Sequence, residues 1–130
     1  MREIKYRMWN KKENKMYKVG QINFDNKRIF MENYNMYICS SYSFEDIEIM
    51  QFTGLHDKNG KKIYESDVIE VTRQCIWEKG IVVFIDGCFF IKVNETLLAL
   101  YESEPNNYEL KVIGNIYENL DLLKGADNIE

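Results

Sequence analysis

A chain of 130 residues holds one domain's worth of sequence, or two very small lobes sharing a core, and its 45% hydrophobic and 29% charged side chains are ordinary for a globular protein. No apolar run approaches the roughly 20 residues that cross a bilayer as a helix, so no membrane partner is expected. The net charge of −4 is uneven: residues 1–36 carry nine Lys or Arg against four Asp or Glu, and residues 37–130 carry eight against seventeen. Such asymmetry has two readings, either attraction between the regions within or between subunits, or a basic front that meets phosphates or an acidic protein.

Nine Tyr, seven Phe and a single Pro suit pleated, half-buried strands. In chain order, Ile4, Tyr6 and Met8 alternate with Lys5, Arg7 and Trp9, the period of a strand with one buried face. Residues 10–15 are polar and form a turn, and Met16-Tyr17-Lys18-Val19 returns as the second arm of a hairpin. Gln21–Phe24 and Arg28–Met31 flank Asp25-Asn26-Lys27, a turn whose Asn and Asp tolerate positive φ. Met36–Cys39 is a further apolar segment. Ser43, with Asp46 three residues on, predicts an N-capped helical turn. Ile47–Phe52 fits a strand or a short helix, and its two Ile alternating with polar residues favour the strand.

The strongest local signal is Asn59-Gly60, which predicts a type I′ hairpin with positive φ at both residues. Beyond it come Val68–Val71, Gly80–Ile85, an Asp86-Gly87 turn and Cys88–Val93. A short helical or turn segment is expected at Thr96–Tyr101, then an acidic loop with Pro105, and a closing strand at Val112–Tyr117. The expectation is a mainly β protein: an N-terminal strand and hairpin region over 1–51, and a small SH3-like or OB-like barrel over 52–123 that forms one compact unit with the first. Residues 124–130 are expected to fray.

The block Phe52-Thr53-Gly54-Leu55-His56-Asp57-Lys58-Asn59-Gly60-Lys61-Lys62-Ile63-Tyr64-Glu65-Ser66-Asp67-Val68-Ile69 resembles the signature of the YopX family of phage-encoded proteins. The opening Arg2–Trp9 and the closing Val112–Asn119 resemble that family's two ends. Ser66 stands where the family usually has Gly, His56 where it commonly has Lys, and Leu120 where it commonly has Pro. The resemblance implies a β-rich fold with an SH3-like barrel in the C-terminal half, in a phage or prophage protein that self-associates. It brings no activity and no catalytic residues.

The residues themselves supply no catalytic, cofactor-binding or metal site. His56 is the one histidine, beside a turn and with no nearby Cys in sequence, and a surface role is expected for it. Cys39, Cys75 and Cys88 are dispersed and odd in number, which fits unpaired thiols in a reducing cytoplasm and small core residues. Asp57-Lys58-Asn59-Gly60 resembles the start of a calcium loop, but Lys61 and Lys62 stand where oxygen ligands would be needed. No phosphate-cradling glycine motif occurs. Without a signal-peptide apolar core, the location expected is the cytoplasm of a bacterial host.

One constellation carries a binding hypothesis. Lys5, Arg7, Trp9, Lys11, Lys12, Lys18, Arg28 and Phe30 interleave cations with rings, a pattern on which bases stack while cations hold phosphates. The functional expectation is a non-enzymatic accessory protein that binds a host or phage protein and forms a homo-oligomer. The alternative is a weak nucleic-acid-binding module using that basic, aromatic face.

Overall fold

The computed structural model describes residues 2–32, 41–100 and 108–122. The chain divides into two compact units, one from Glu3 to Gln51 and one from Phe52 onward. The apolar segment Met36–Cys39, the Pro105 loop and the frayed tail lie outside the described residues.

The first unit is an antiparallel sheet of β1 (Tyr6–Asn10), β2 (Lys15–Asn23), β3 (Arg28–Met31), β4 (Ser41–Ser43) and the first half of β5 (Ile47–His56), in the order β4-β3-β2-β1-β5. Met8 faces Tyr17 on one side and Ile49 on the other, and Ile22 faces Ile29. These side chains, with Ile47, Val19, Met31, Tyr42 and Phe44, make the unit's apolar core. β2 is one strand where the sequence suggested two pieces. The break at Gly20 is a register shift between Val19 and Gln21, and Glu32 N–H donates to Lys18 C=O at 2.7 Å beside it.

Two turns of this unit use one device. Asn10 Oδ1 accepts from Lys12 and Glu13 N–H, and Asn23 Oδ1 accepts from Asp25 and Asn26 N–H. The left-handed residue then falls four places after the asparagine, at Asn14 (φ 55°) and Lys27 (φ 57°). Positive φ in the second turn therefore belongs to Lys27, not to Asp25 or Asn26. Ser43 caps a single 3₁₀ turn at Phe44–Asp46 as its spacing predicted, its Oγ accepting from Glu45 N–H at 3.3 Å.

In the second unit the rest of β5 pairs with β6 (Lys62–Tyr64) across a bulge. Gly54 sits there at φ 93°, and Thr53 Oγ1 bridges the irregularity, donating to Ile63 C=O and accepting from Leu55 N–H. A five-stranded antiparallel sheet follows: β7 (Asp67–Arg73), β8 (Ile76–Ile85), β9 (Cys88–Val93), β10 (Thr96–Ala99) and β11 (Glu109–Asn115), ordered β10-β9-β8-β7-β11. Ile63, Ile69, Val71, Val82, Ile91, Val93 and Val112 form its core. Burying each such side chain stabilises by about 1.5–3 kcal/mol. Gly80 lies where a Cβ would stand 2.7 Å from Ile91 Cγ2 and Lys92 C=O, so strand contact there requires glycine.

The mainly β reading holds. Barrel closure is not among the described pairings, which leave β10 and β11 as the two ends of an open order. Two local readings are corrected. Thr96–Ala99 is a strand, because Asn94 (φ 55°) and Glu95 reverse the chain and set Thr96 opposite Val93. Asn59 does not have positive φ. Gly60 alone does, at 85°, in a turn where Gly60 N–H donates to Asp57 C=O at 3.0 Å. With negative φ at both central residues this is a type I turn ending on glycine. The type I′ geometry occurs instead at Asp86 (φ 52°) and Gly87 (φ 82°), where Ile85 pairs with Cys88.

Replacing Gly60 by Val is expected to cost about 1–3 kcal/mol from backbone strain alone, since nothing lies within 4 Å of the new Cβ. Ser66 holds φ 74°. Ser66→Gly is expected to stabilise by roughly 0.5–1 kcal/mol, relief of left-handed strain outweighing the added entropy of the unfolded chain. Urea denaturation of both variants checks the two signs.

Candidate functional site

The basic, aromatic constellation falls on the first unit, and strand parity decides which members meet. Arg7 lies directly opposite Lys18, and Trp9 is two residues along from Arg7 on the same face. Across β2, Val19 and Met31 both turn to the core, so Phe30 and Arg28 take the opposite face, the one that carries Arg7 and Lys18. The sheet thus gathers Arg7, Trp9, Lys18, Arg28 and Phe30. Lys5 precedes β1, and Lys11 and Lys12 sit in the β1–β2 turn.

Chemistry on that face is partly spent. Trp9 is 8% exposed, too little for a base to stack on its ring, and Phe30 is half-buried. Arg28 Nε donates to Ser41 Oγ, and one of its terminal nitrogens donates to Ser41 Oγ at 2.8 Å and to Ser41 C=O at 3.0 Å. Arg7 Nε donates to Met50 Sδ at 3.4 Å. Lys11 pairs with Glu48, Lys12 with Asp46 and Lys5 with Glu3, at 3.4, 3.6 and 3.9 Å. Each of these exposed pairs stabilises by at most about 1 kcal/mol, but together they lower the positive potential a phosphate would feel. Within this unit Tyr17 donates to Glu13 Oε1 at 2.6 Å, and that bond, with burial and Tyr42, raises the phenol well above its usual range.

In the second unit the turn after β5 is clamped by one carboxylate. Asp57 is 7% exposed, and its Oδ1 accepts from Asn59 N–H (2.8 Å) and Lys61 N–H (2.9 Å). Its Oδ2 accepts from Val112 N–H of β11 at 2.9 Å, and Lys58 N–H donates to Leu110 C=O at 2.9 Å. Burial would raise this carboxyl, but the amides of Val112, Lys61 and Asn59 and the Lys61 charge outweigh it and hold it below the ordinary range. A carboxylate with three backbone donors and a neighbouring lysine has little left to offer a cation. Asp67, 1% exposed, accepts from Tyr64 N–H at 2.8 Å and fixes the return into β7. Beside the clamp opens a cleft of about 390 Å³, lined chiefly by Leu55, His56, Ile91, Leu100, Tyr108 and Leu110. His56 is exposed, its ring edge-on to Phe52 at 5.6 Å.

The sequence reading missed the exposed apolar residues of this unit. At the β7–β8 hairpin, Ile76 is 54% and Trp77 75% exposed, and on β10 Leu97 is 43% exposed. Their signal was two adjacent apolar residues just ahead of the predicted strand at Gly80. Alternation cannot bury both of two consecutive strand residues, and at a hairpin tip neither finds a core. Cys75 and Cys88 are likewise exposed, against the expectation of core thiols, because both lie at turns.

A family model described as YopX protein matches residues 5–124. Among solved structures, the chain is similar to protein EF1440 from Enterococcus faecalis, with 26% identity and a TM-score of 0.70 over 95% of this chain and 99% of that one. It is also similar to protein yopX from Bacillus subtilis, with 18% identity and a TM-score of 0.65 over 91% and 96% of the two chains. No curated protein matches.

Asp57→Ala strands the buried Val112 N–H and loosens the turn, and is expected to cost about 3 kcal/mol in thermal or urea unfolding. The wild-type carboxyl titrates lower folded than unfolded. Its contribution is therefore complete above the ordinary carboxylate range and is lost as pH falls through the depressed folded value. The variant should show a correspondingly shallower acid limb in stability against pH.

Proposed function

The chain belongs to the YopX family, and from that premise we propose that it is a non-enzymatic accessory protein of a phage or prophage, working in the host cytoplasm by binding a host or phage protein. The observation that carries this reading is the exposed pair Ile76 and Trp77 at the end of the β7–β8 hairpin. A Trp ring buries roughly 150–250 Å² when it docks, and such rings anchor protein interfaces. Among the described residues Trp77 lies opposite Thr72 and outside the unit's core. Self-association belongs to the same reading, and a strict monomer by light scattering at micromolar concentration would remove that part.

A second reading rests on the sheet face that gathers Arg7, Lys18, Arg28 and Phe30. It supports weak binding to single-stranded nucleic acid through a few phosphate contacts, weakened by the ion pairs of Lys11 and Lys12. With three such contacts, log affinity would fall against log salt with a slope of about −2.

A tagged pull-down from phage-infected or lysogenic cells, with and without nuclease, separates the two. The protein-binding reading expects a stoichiometric protein that survives nuclease and is lost at least tenfold with Trp77→Ala, while the melting temperature is unchanged. Capture that vanishes with nuclease, or is indifferent to Trp77, contradicts it.

A further inference from the structure

The five-stranded sheet treats its two edges differently. The β11 edge is closed by Asp57 Oδ2 on Val112 N–H and by Lys58 N–H on Leu110 C=O. Among the described residues the β10 edge carries neither a covering strand nor a blunting residue of its own. Thr96-Leu97-Leu98-Ala99 has no charge and no proline, and it pairs with β9 without a register shift.

The hairpin sets which groups of β10 face outward. The two-residue turn at Asn94 and Glu95 is closed by the Val93–Thr96 pair, and Leu100 N–H donates to Phe89 C=O at 3.3 Å. Thr96, Leu98 and Leu100 therefore bond inward to β9. The N–H and C=O groups of Leu97 and Ala99 point away from the sheet, and no described strand lies beyond them. At this end of the strand opens the 390 Å³ cleft, which Ala99 and Leu100 line together with Ile91, Leu55, Tyr108 and Leu110.

We propose that the β10 edge and this cleft form one peptide-binding site, which takes an extended segment of a partner protein. The segment's main chain pairs with Leu97 and Ala99, and one of its apolar side chains enters the cleft. In such sites the main-chain bonds supply affinity and the side-chain pocket supplies specificity. The inference rests on the protein-binding reading above and names the chemistry of the partner.

Two observations favour a peptide over a second copy. A four-residue edge spans about 13 Å, and pairing two of them falls well short of the roughly 1,200 Å² of a stable interface. Charge also opposes it. From Phe52 onward the chain carries eight Lys or Arg against fourteen Asp or Glu, with Glu95 just before β10 and Glu102 and Glu104 just after it in sequence. Two copies meeting at this edge would bring surfaces of like net charge together, which leaves self-association to other surfaces. The same acidity selects a segment with Lys or Arg flanking its apolar anchor.

The test is selection of short random peptides from a displayed library against the full chain, followed by amide mapping with the selected peptides. The expected peptides combine an apolar residue with flanking Lys or Arg, and on binding they slow exchange at the Leu97 and Ala99 amides. Leu97→Pro removes an outward donor without touching the β9 ladder, and should weaken binding at least tenfold. Ala99→Glu places a charge beside the cleft from an exposed position and should do the same, with the melting curve of each variant confirming the fold. Several results overturn the proposal: no enrichment, binding that leaves those amides unprotected, or binding that Leu97→Pro does not change. Protection of both amides in the free monomer assigns the edge to the chain itself. Dimers that Leu97→Pro dissociates assign it to a second copy. If the pull-down protein is still captured by Leu97→Pro, the protein-binding reading stands and this site fails.

Discussion

Asp57 follows directly on β5 with its carboxylate turned into the protein, where three backbone N–H groups converge on it. Two of them belong to its own turn and the third to β11, far along the chain. A buried acceptor that bridges a local turn and a distant strand does two jobs with one charge. It selects the turn geometry, and it supplies a partner for an edge amide that water cannot reach. The second unit depends on both. Removing the carboxylate would free the turn, orphan Val112 and reopen the β11 edge together, so the losses would not be independent.

The same economy recurs at smaller scale. Asn10, Asn23 and Asn115 each turn a side-chain oxygen onto amides two and three residues ahead, so the loop's donors are satisfied locally. The backbone then closes behind two of them, with Asn14 N–H on Asn10 C=O and Asn119 N–H on Asn115 C=O. A chain rich in Asn and Asp at strand ends can afford many short strands, because each reversal is capped by a residue already in it. Among the described residues no buried side-chain polar atom is left without a partner.

Strands were legible wherever one face is buried and the other wet, as where Ile91 and Val93 are buried on either side of exposed Lys92, because alternation is a direct record of that environment. What escaped was decided by non-local contact. Asn59-Gly60 carries the composition of a type I′ turn, but Asp57 captures the Asn59 and Lys61 amides and holds Asn59 at negative φ. Thr96–Ala99 has no alternation to read, since Leu97 faces outward and Leu98 packs on the core. The basic residues of the first unit were legible as charge. Their partners Glu48, Asp46 and Ser41 were not, because pairing across strands leaves no mark in a single sequence. Trp77 was invisible for a related reason: hydrophobicity predicts burial, and a hairpin tip has nothing to bury it.

One edge of the second unit is thus sealed by a carboxylate from within the chain, while the other ends in two outward donors and two outward acceptors. That contrast links the Asp57 clamp to the proposed role in binding. The most direct measurement is an NMR titration of the Asp57 carboxyl carbon, read alongside the amide shifts of Asn59, Lys61 and Val112. The account predicts one shared midpoint below the ordinary carboxylate range, with all three amides moving together. A midpoint at or above that range, or a Val112 amide that does not respond, would contradict it.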